Sequence, residues 1–301
     1  MTHPELRQLR YFVTVAEELS FTRAAERLRI AQQSLSQQIT ALERRLGVRL
    51  LDRDSRGTRL TAVGGTFVSE ARAVLERTDQ ALAVLQRARR GEVGDLRLAF
   101  LTTVANHLLP PIVRALREQL TDVRVTTEST AIATLVAGVT SGRYDAAFTR
   151  PPLADGLASR TLTSEPVCAV LPEGHVLADR TELDLRDLAE ERWILTPPSS
   201  WEPWHRAYND HFHEAGFIPD VVHTDANPQN LLGLVAAGVG VTRLARSSRS
   251  LRRTGVVFVP ITGAYAPTDV IWRPGNDNPA LVRLLEIVTN LAATCDLTRS
   301  G

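Results

Sequence analysis

The residues best suited to chemistry in this 301-residue chain are Gln33, Ser36, Gln37, Thr40 and Arg44. They recur at steps of 3, 1, 3 and 4, so on a helix they occupy one face. That face carries amides and hydroxyls rather than the Glu/Arg mixture of an ordinary solvated surface. A Gln amide can pair with an adenine edge through two hydrogen bonds, and Ser or Thr can reach bases or phosphates. Thr22, Arg23, Gln32 and Ser34 complete the expected contact set. Downstream, Arg53, Arg56 and Arg59 crowd a short hairpin-like segment with Gly57 at its turn, together with Arg49 just before it. Guanidinium groups in such a wing suit phosphates or a minor groove. The chemistry expected here is recognition of double-stranded DNA.

Several elements must position these groups. Leu35, Ile39, Leu42 and Leu46 form an apolar stripe on the opposite side of the same helix, and Gly47 closes it. Before it, Thr22 is the expected N-cap of a short helix over Arg23–Arg29, where Ala24 and Ala25 allow close approach. Two such helices joined by a three-residue turn describe a helix-turn-helix. Leu6–Glu18, with Leu6, Leu9, Val13 and Ala16, can pack beneath it. Residues 1–60 hold 11 Arg against 5 Glu and 2 Asp, a net of +4, which leaves −3 for the rest of a chain whose total is +1. A basic end on a near-neutral chain fits a polyanion partner.

After the wing, Thr61 is a candidate N-cap for a helix running to about Arg90. Phe67, Ala71, Val74, Leu75, Thr78, Ala81, Leu82 and Leu85 make a seam of threes and fours along it. Nothing beside this helix in sequence could cover the seam, so Phe67, Ala71, Val74, Leu75, Thr78, Leu82 and Leu85 are expected to dimerise two copies. A homodimer implies a DNA site of dyad symmetry.

An α/β pattern follows the Gly91–Gly94 break. Leu96–Leu101, Val123–Glu128 and Tyr144–Thr149 read as strands, with helices at Leu108–Gln119 (Pro110-Pro111 in its first turn) and Ala133–Ser141. A second series has strands at Val167–Leu171, Trp193–Thr196, Val221–Thr224 and Val256–Pro260, and a turn and strand over Gly238–Arg243. Its helices are Leu185–Glu190, His205–Ala215 and Asn230–Ala237. Asp269–Arg273 and the helix Ala280–Ala293 look like a return to the first series. The alternation implies mostly parallel sheets with ligands at strand C-termini. Polar residues sit at those handovers: Thr102 and Thr103, Thr130, Arg150, then Ser199, Ser200 and Trp201, and Asn227. Hydroxyls and helix N-terminal NH groups at such points hold small anions or polar ligands, and a small-molecule effector site is expected there.

No catalytic residues, metal site or cofactor are expected. The chain lacks a G-x-S-x-G elbow, a Walker A loop and a G-x-G-x-x-G after a strand; Gly238-Val239-Gly240 follows a helix instead. His205, His211, His213 and Asp210 cluster in sequence, but steps of 6 and 8 place the three imidazoles on different helix faces. Cys168 and Cys295 have no metal or redox spacing. No apolar run approaches a membrane span and MTHPELRQLR lacks a signal-peptide pattern, so the expected location is cytoplasmic, away from membranes.

The stretch SFTRAAERLRIAQQSLSQQITALERRLGVRLLDR, followed by RLTAVGGTFV, resembles the N-terminal region of LysR-type transcriptional regulators nearly continuously from Leu6 to about Leu85. The patterns LLPPIVRALRE, SGRYDAAFTRPP, VLPEGHVLA and LVAAGVGV extend the resemblance more thinly through the rest. It implies an α+β chain with a winged helix-turn-helix over residues 1–62 and a linker and dimerisation helix over 63–91. An α/β effector-binding domain over 92–301 would follow, two subdomains resembling a periplasmic binding protein. Subdomain I would comprise 92–161 and 267–301, and subdomain II 162–266, with the effector between them. The family often assembles further, into a homotetramer. Two departures fall on the groove face: Gln33 stands where the family usually has Pro, and Gln37 where it often has Arg. In related regulators the hydroxyls after the first two strands hold the ligand's carboxylate; here the second loop reads Thr130-Ala131-Ile132, with fewer hydroxyls than usual. A small, partly apolar effector with one anionic or strongly polar end is therefore expected. Two other classes share parts of this architecture, a solute-binding protein and an α/β enzyme with an appended DNA-binding adaptor. The first requires a signal peptide and no basic N-terminal domain; the second requires a catalytic constellation.

Overall fold

The computed structural model describes residues 3–54, 57–152 and 155–297. The chain divides into two compact units, Met1–Gln86 and Arg87–Gly301. The first holds helices α1 (Leu6–Glu18), α2 (Phe21–Leu28) and α3 (Gln32–Leu46), strands β1 (Leu51–Asp54) and β2 (Gly57–Leu60), and most of α4 (Ala62–Arg89). Leu35, Ile39 and Leu42 of the apolar stripe are fully buried against Phe12, Val15, Ala24 and Leu50. Each such side chain contributes roughly 1.5–3 kcal/mol through burial. The helix before the turn starts earlier than expected. Ser20, not Thr22, is its N-cap, its side chain accepting from the Arg23 amide at 3.4 Å. Arg29, Ile30 and Ala31 form the turn, and Gly47 ends α3 at φ 71°, where a side chain would be strained. Thr61 caps α4 as expected, its Oγ1 accepting from the Gly64 amide at 2.9 Å. A Cβ at Gly64 would overlap the Leu50 carbonyl oxygen, so α4 approaches the wing through glycine.

The second unit contains β3 (Val93–Leu101), α5 (Thr102–Gln119), β4 (Asp122–Thr130), α6 (Ile132–Ser141), β5 (Ala146–Thr149) and β6 (Ala158–Pro172). It continues with β7 (Arg192–Leu195), α7 (Glu202–Glu214), β8 (Asp220–Thr224), α8 (Pro228–Ala236), β9 (Thr242–Ala245), β10 (Val256–Trp272) and α9 (Pro279–Thr294). Six strands form one sheet in the order β4-β3-β5-β10-β6-β9, and β7 pairs with β8. A Trp193–Val241 bridge connects that pair to the segment leading into β9. One lobe packs α5 and α9 on one side of β3, β4 and β5, and α6 on the other. The second lobe packs α7 and α8 around β7, β9 and the outer half of β6.

Two expectations are corrected here. The strands expected at Val167–Leu171, Val256–Pro260 and Asp269–Arg273 are parts of two long strands, β6 and β10, antiparallel to each other and running through both lobes. Pro166, Pro267 and Gly263 interrupt the strand signal, because proline lacks a ladder donor, and the register shifts between Pro260 and Tyr265. The sheet is therefore mixed rather than mostly parallel: β3 runs parallel to β4 and β5, and β7 to β8, while β10 is antiparallel to both its neighbours. The second correction is α5, which begins at Thr102 rather than Leu108, so Pro110 and Pro111 lie inside it. A proline pair inside a helix imitates a first turn, which hid the two turns before it.

Candidate DNA interface and effector cleft

On α3, Gln32, Gln33, Ser34, Gln37, Thr40 and Arg44 are exposed and Ser36 is half-buried, as the opposed stripes require. The Arg53 guanidinium lies 4.2 Å from the centre of the Phe21 ring, donates to Ser36 Oγ at 2.8 Å and approaches Glu43 Oε2 at 4.0 Å. Glu43 Oε1 in turn accepts from the amides of Leu50 and Leu51 at 2.8 and 3.1 Å. Wing and helix are thus joined by side chains that the sequence offered as independent contacts. Thr22 Oγ1 donates to Gln32 Oε1 at 3.3 Å, and Thr40 Oγ1 to the Ser36 carbonyl at 2.9 Å. Arg23 turns back to Glu18, with Nε 3.5 Å from Oε2. Arg59 lies on β2, and Arg56 falls outside the described residues.

The expected seam of α4 divides in two. Ala71 is buried and Phe67 and Leu75 pack against the helix-turn-helix core, Phe67 with its ring 5.6 Å from that of Phe12. Val74, Leu82 and Leu85 are 46%, 56% and 54% exposed, leaving an apolar face toward the distal end of the helix. Thr78 donates to the Val74 carbonyl at 2.9 Å.

In the second unit the structure brings together part of the expected effector set. Leu101 and Thr130 are register partners at the C-terminal ends of β3 and β4, and Thr102 Oγ1 reaches the Thr130 carbonyl at 3.4 Å. Thr103 is half-buried in the first turn of α5. Trp201 comes from the other lobe, at the end of the 3-10 turn Pro198–Ser200. Its indole packs beside Leu101 against the cluster of Ile132 and Leu135, and its Nε1–H donates to the Pro152 carbonyl at 2.9 Å. Trp201 therefore ties the lobes together beside the C-terminal end of β3. Asn227 is used locally: its Oδ1 accepts from the Gln229 amide at 2.9 Å and caps α8.

Arg150 is engaged within the protein, between the two crossing strands. Only 7% exposed, it donates from Nη2 to Glu165 Oε1 at 2.7 Å and from Nη1 to the Ala266 carbonyl at 3.0 Å. The Glu165 carboxylate is wholly buried and also accepts from Ser247 Oγ at 2.8 Å and the Ser247 amide at 2.5 Å. The His107 ring, on α5, stands 3.8 Å from the same carboxylate, and neither ring nitrogen has a hydrogen-bond partner. Burial pushes the His107 imidazole down to about 4, with the Glu165 charge opposing and Arg150 reinforcing. Sequence reasoning missed Glu165, His107 and Ser247. The available signal was one acid in the otherwise apolar and hydroxyl-bearing run TLTSEPVCAV.

The histidines of α7 are also corrected. His205 and His213 lie on one side of the helix with Asn209, lining a cavity of 370 Å³ with Leu195, Phe212 and Val221; His211 faces elsewhere. Eight residues along a helix is about 2.2 turns, so these two positions stand about 80° apart, within reach of one cavity. Burial pushes the Cys168 thiol up to about 11, which leaves it unreactive. Among the described residues no helix is long and apolar enough to cross a membrane.

Comparison with known proteins agrees with both halves of this geometry. The pattern of the bacterial regulatory helix-turn-helix protein, lysR family, matches residues 6–65, and that of the LysR substrate binding domain matches residues 89–293. The HTH-type transcriptional regulator AlsR of Bacillus subtilis (strain 168) is 32% identical over 299 residues, covering 98% of this chain and 97% of its own. CatR of Pseudomonas putida is 35% identical over 295 residues, 96% of this chain and 99% of its own. Among solved structures, full-length CbnR complexed with its target DNA is similar with a TM-score of 0.78 at 28% identity, over 96% of this chain and 99% of that one. The chain belongs to the LysR family of DNA-binding transcriptional regulators, with an N-terminal helix-turn-helix and a C-terminal effector-binding domain.

Proposed function

We propose that this regulator reads a dyad-symmetric DNA site with Gln33, Ser36, Gln37 and Thr40 of α3, while Arg44 and the wing arginines engage phosphates. The observation that supports this best is the two-faced α3. Its apolar stripe is sealed in the core of the first unit, and its amide and hydroxyl face is left in solvent beside the wing. The DNA complex of the CbnR relative supports the same partner. Two copies pair through the exposed distal face of α4, and effector domains extend the pairing to a homotetramer. The working division is 1–62 for DNA binding, 63–91 for pairing and 92–301 for the effector, with the two subdomains 92–161 plus 267–301 and 162–266.

The effector is a small, partly apolar molecule with one anionic or strongly polar end. It sits between the lobes against Thr102, Thr103, Thr130, Ser199, Ser200 and Trp201. Its occupancy acts on DNA through the difference in its affinity for two assembly states. The protein works in the cytoplasm by binding and not by turnover, which its relatives' roles as transcriptional regulators support. The test is a melting-temperature screen of the full-length protein with small aliphatic and aromatic carboxylates. A ligand at about 100 times its Kd stabilises the native state by roughly 2.7 kcal/mol. The hit must lose its effect in Thr103→Val, which keeps volume and removes the hydroxyl.

A further inference from the structure

The Glu165 side chain takes contacts from both lobes, and through Arg150 it is joined to the second crossing strand. It stands on β6, the first crossing strand, wholly buried at the point where that strand leaves one lobe for the other. From the first lobe it receives Arg150 Nη2 at 2.7 Å, and Arg150 simultaneously holds the second crossing strand through the Ala266 carbonyl at 3.0 Å and the Pro267 carbonyl at 3.5 Å. From the second lobe it receives both donors of Ser247, the second residue of the turn Arg246–Leu251 after β9. That turn packs against α5, the helix carrying His107 and Thr103. A buried carboxylate stays charged only where its lone pairs are filled by fixed donors, so these three contacts are mutually dependent. Removing the charge frees Arg150, and through Arg150 the second crossing strand, in the same event.

We propose that Glu165 is a positioning residue for the effector cleft, a buried latch whose contacts to Arg150 and Ser247 fix the angle between the two lobes. This rests on the reading of the cleft as the effector site. Arg150 and Ser247 are its two halves, one from each lobe, and Trp201 is a second tie at the mouth of the cleft. The latch narrows the range of lobe angles available without ligand, so the cleft is preorganised before an effector arrives.

The test reads lobe geometry without any effector. In the full-length protein carrying Cys295→Ser, the exposed Arg117 of α5 and the exposed Arg180 beyond β6 are changed, Arg117→Cys and Arg180→Cys, and spin-labelled. Labelled chain is diluted into unlabelled chain so that only distances within one chain are measured. With Glu165 intact, a single narrow distance distribution is expected. Glu165→Gln keeps the shape of the side chain and loses its charge; the distribution should broaden and shift. The double variant Arg150→Leu/Glu165→Leu removes the pair without leaving a lone buried charge, so its melting temperature should recover while its distribution stays broad. If Glu165→Gln does not fold, the double variant carries the test alone. A narrow distribution at the original distance in Glu165→Gln, or in the double variant, would overturn the proposal, since a filled junction would then suffice. Because no ligand is used, failure here leaves the effector site standing, and failure to find an effector leaves the latch standing.

Discussion

Arg53 donates to Ser36 Oγ at 2.8 Å while lying over the Phe21 ring, so the wing is joined by side chains to both helices of the helix-turn-helix. The hydroxyl expected to meet a base is already engaged by the guanidinium expected to meet a phosphate. Arg53 therefore positions α3 in the free protein as well as supplying charge. Arg53→Lys, which keeps the charge but loses the planar fork, should weaken binding to every DNA sequence while leaving the salt dependence nearly unchanged. Arg44→Ala, at an exposed position, should instead flatten the salt dependence by about one unit. Fluorescence anisotropy across a salt series separates the two; an Arg53→Lys protein that binds with unchanged affinity would show that Arg53 acts only through its charge.

The divided seam of α4 predicts a divided response. Leu82→Asp and Leu85→Asp alter exposed positions and should give monomers that keep their helix content. Leu75→Asp strikes the packing on the helix-turn-helix core and should destabilise the protein by about 1–3 kcal/mol. Sedimentation and thermal melts on the three variants check this. An intact dimer in Leu82→Asp would place the pairing surface elsewhere.

Trp201→Phe removes the donor to the Pro152 carbonyl and keeps an aromatic wall. A neutral hydrogen bond contributes about 0.5–1.5 kcal/mol, so a modest loss of stability and a weaker ligand-induced shift in melting temperature are expected. An unchanged ligand response would place the effector away from this wall.

His107 gives the stability profile an acid limb. Its imidazole is held down to about 4 by burial, so the unfolded chain takes up a proton below the ordinary histidine range while the native state resists it. The unfolded state then binds more protons, and stability falls as pH drops from about 6.5 toward about 4. The charged groups facing the ring are Glu165 on β6 and Arg150 after β5. His107→Leu should flatten that limb and leave stability near pH 8 little changed. Urea melts across this range measure it, and an identical acid limb in the variant would assign it to other groups.

The helix-turn-helix was legible because local signals agreed: two stripes of opposite chemistry on one helix, small residues where helices cross, and Gly47 where a left-handed cap is needed. The α/β alternation was legible for the same reason. The long strands β6 and β10 were not, because their pairing is settled by partners about a hundred residues apart and Pro166 and Pro267 mask them locally. The Glu165 junction was invisible for a related reason. His107, Arg150, Glu165 and Ser247 come from four separate elements, and nothing in the spacing of any one of them implies the others. Trp201 was legible only as a residue at a strand-to-helix handover; the tie its indole N–H makes between lobes depends on Pro152, about fifty residues earlier.

The central claim is that the exposed amide and hydroxyl face of α3 reads base sequence in a paired regulator. Selection from a pool of random duplexes with the full-length protein tests it most directly, comparing the unaltered protein with Gln33→Ala and Gln37→Ala. The unaltered protein should enrich an inverted repeat. Each variant should relax preference at one position of each half-site, worth ~1–3 kcal/mol, while retaining the half-site spacing. Enrichment of the same sequence by all three proteins, or of none by the unaltered one, would contradict the claim.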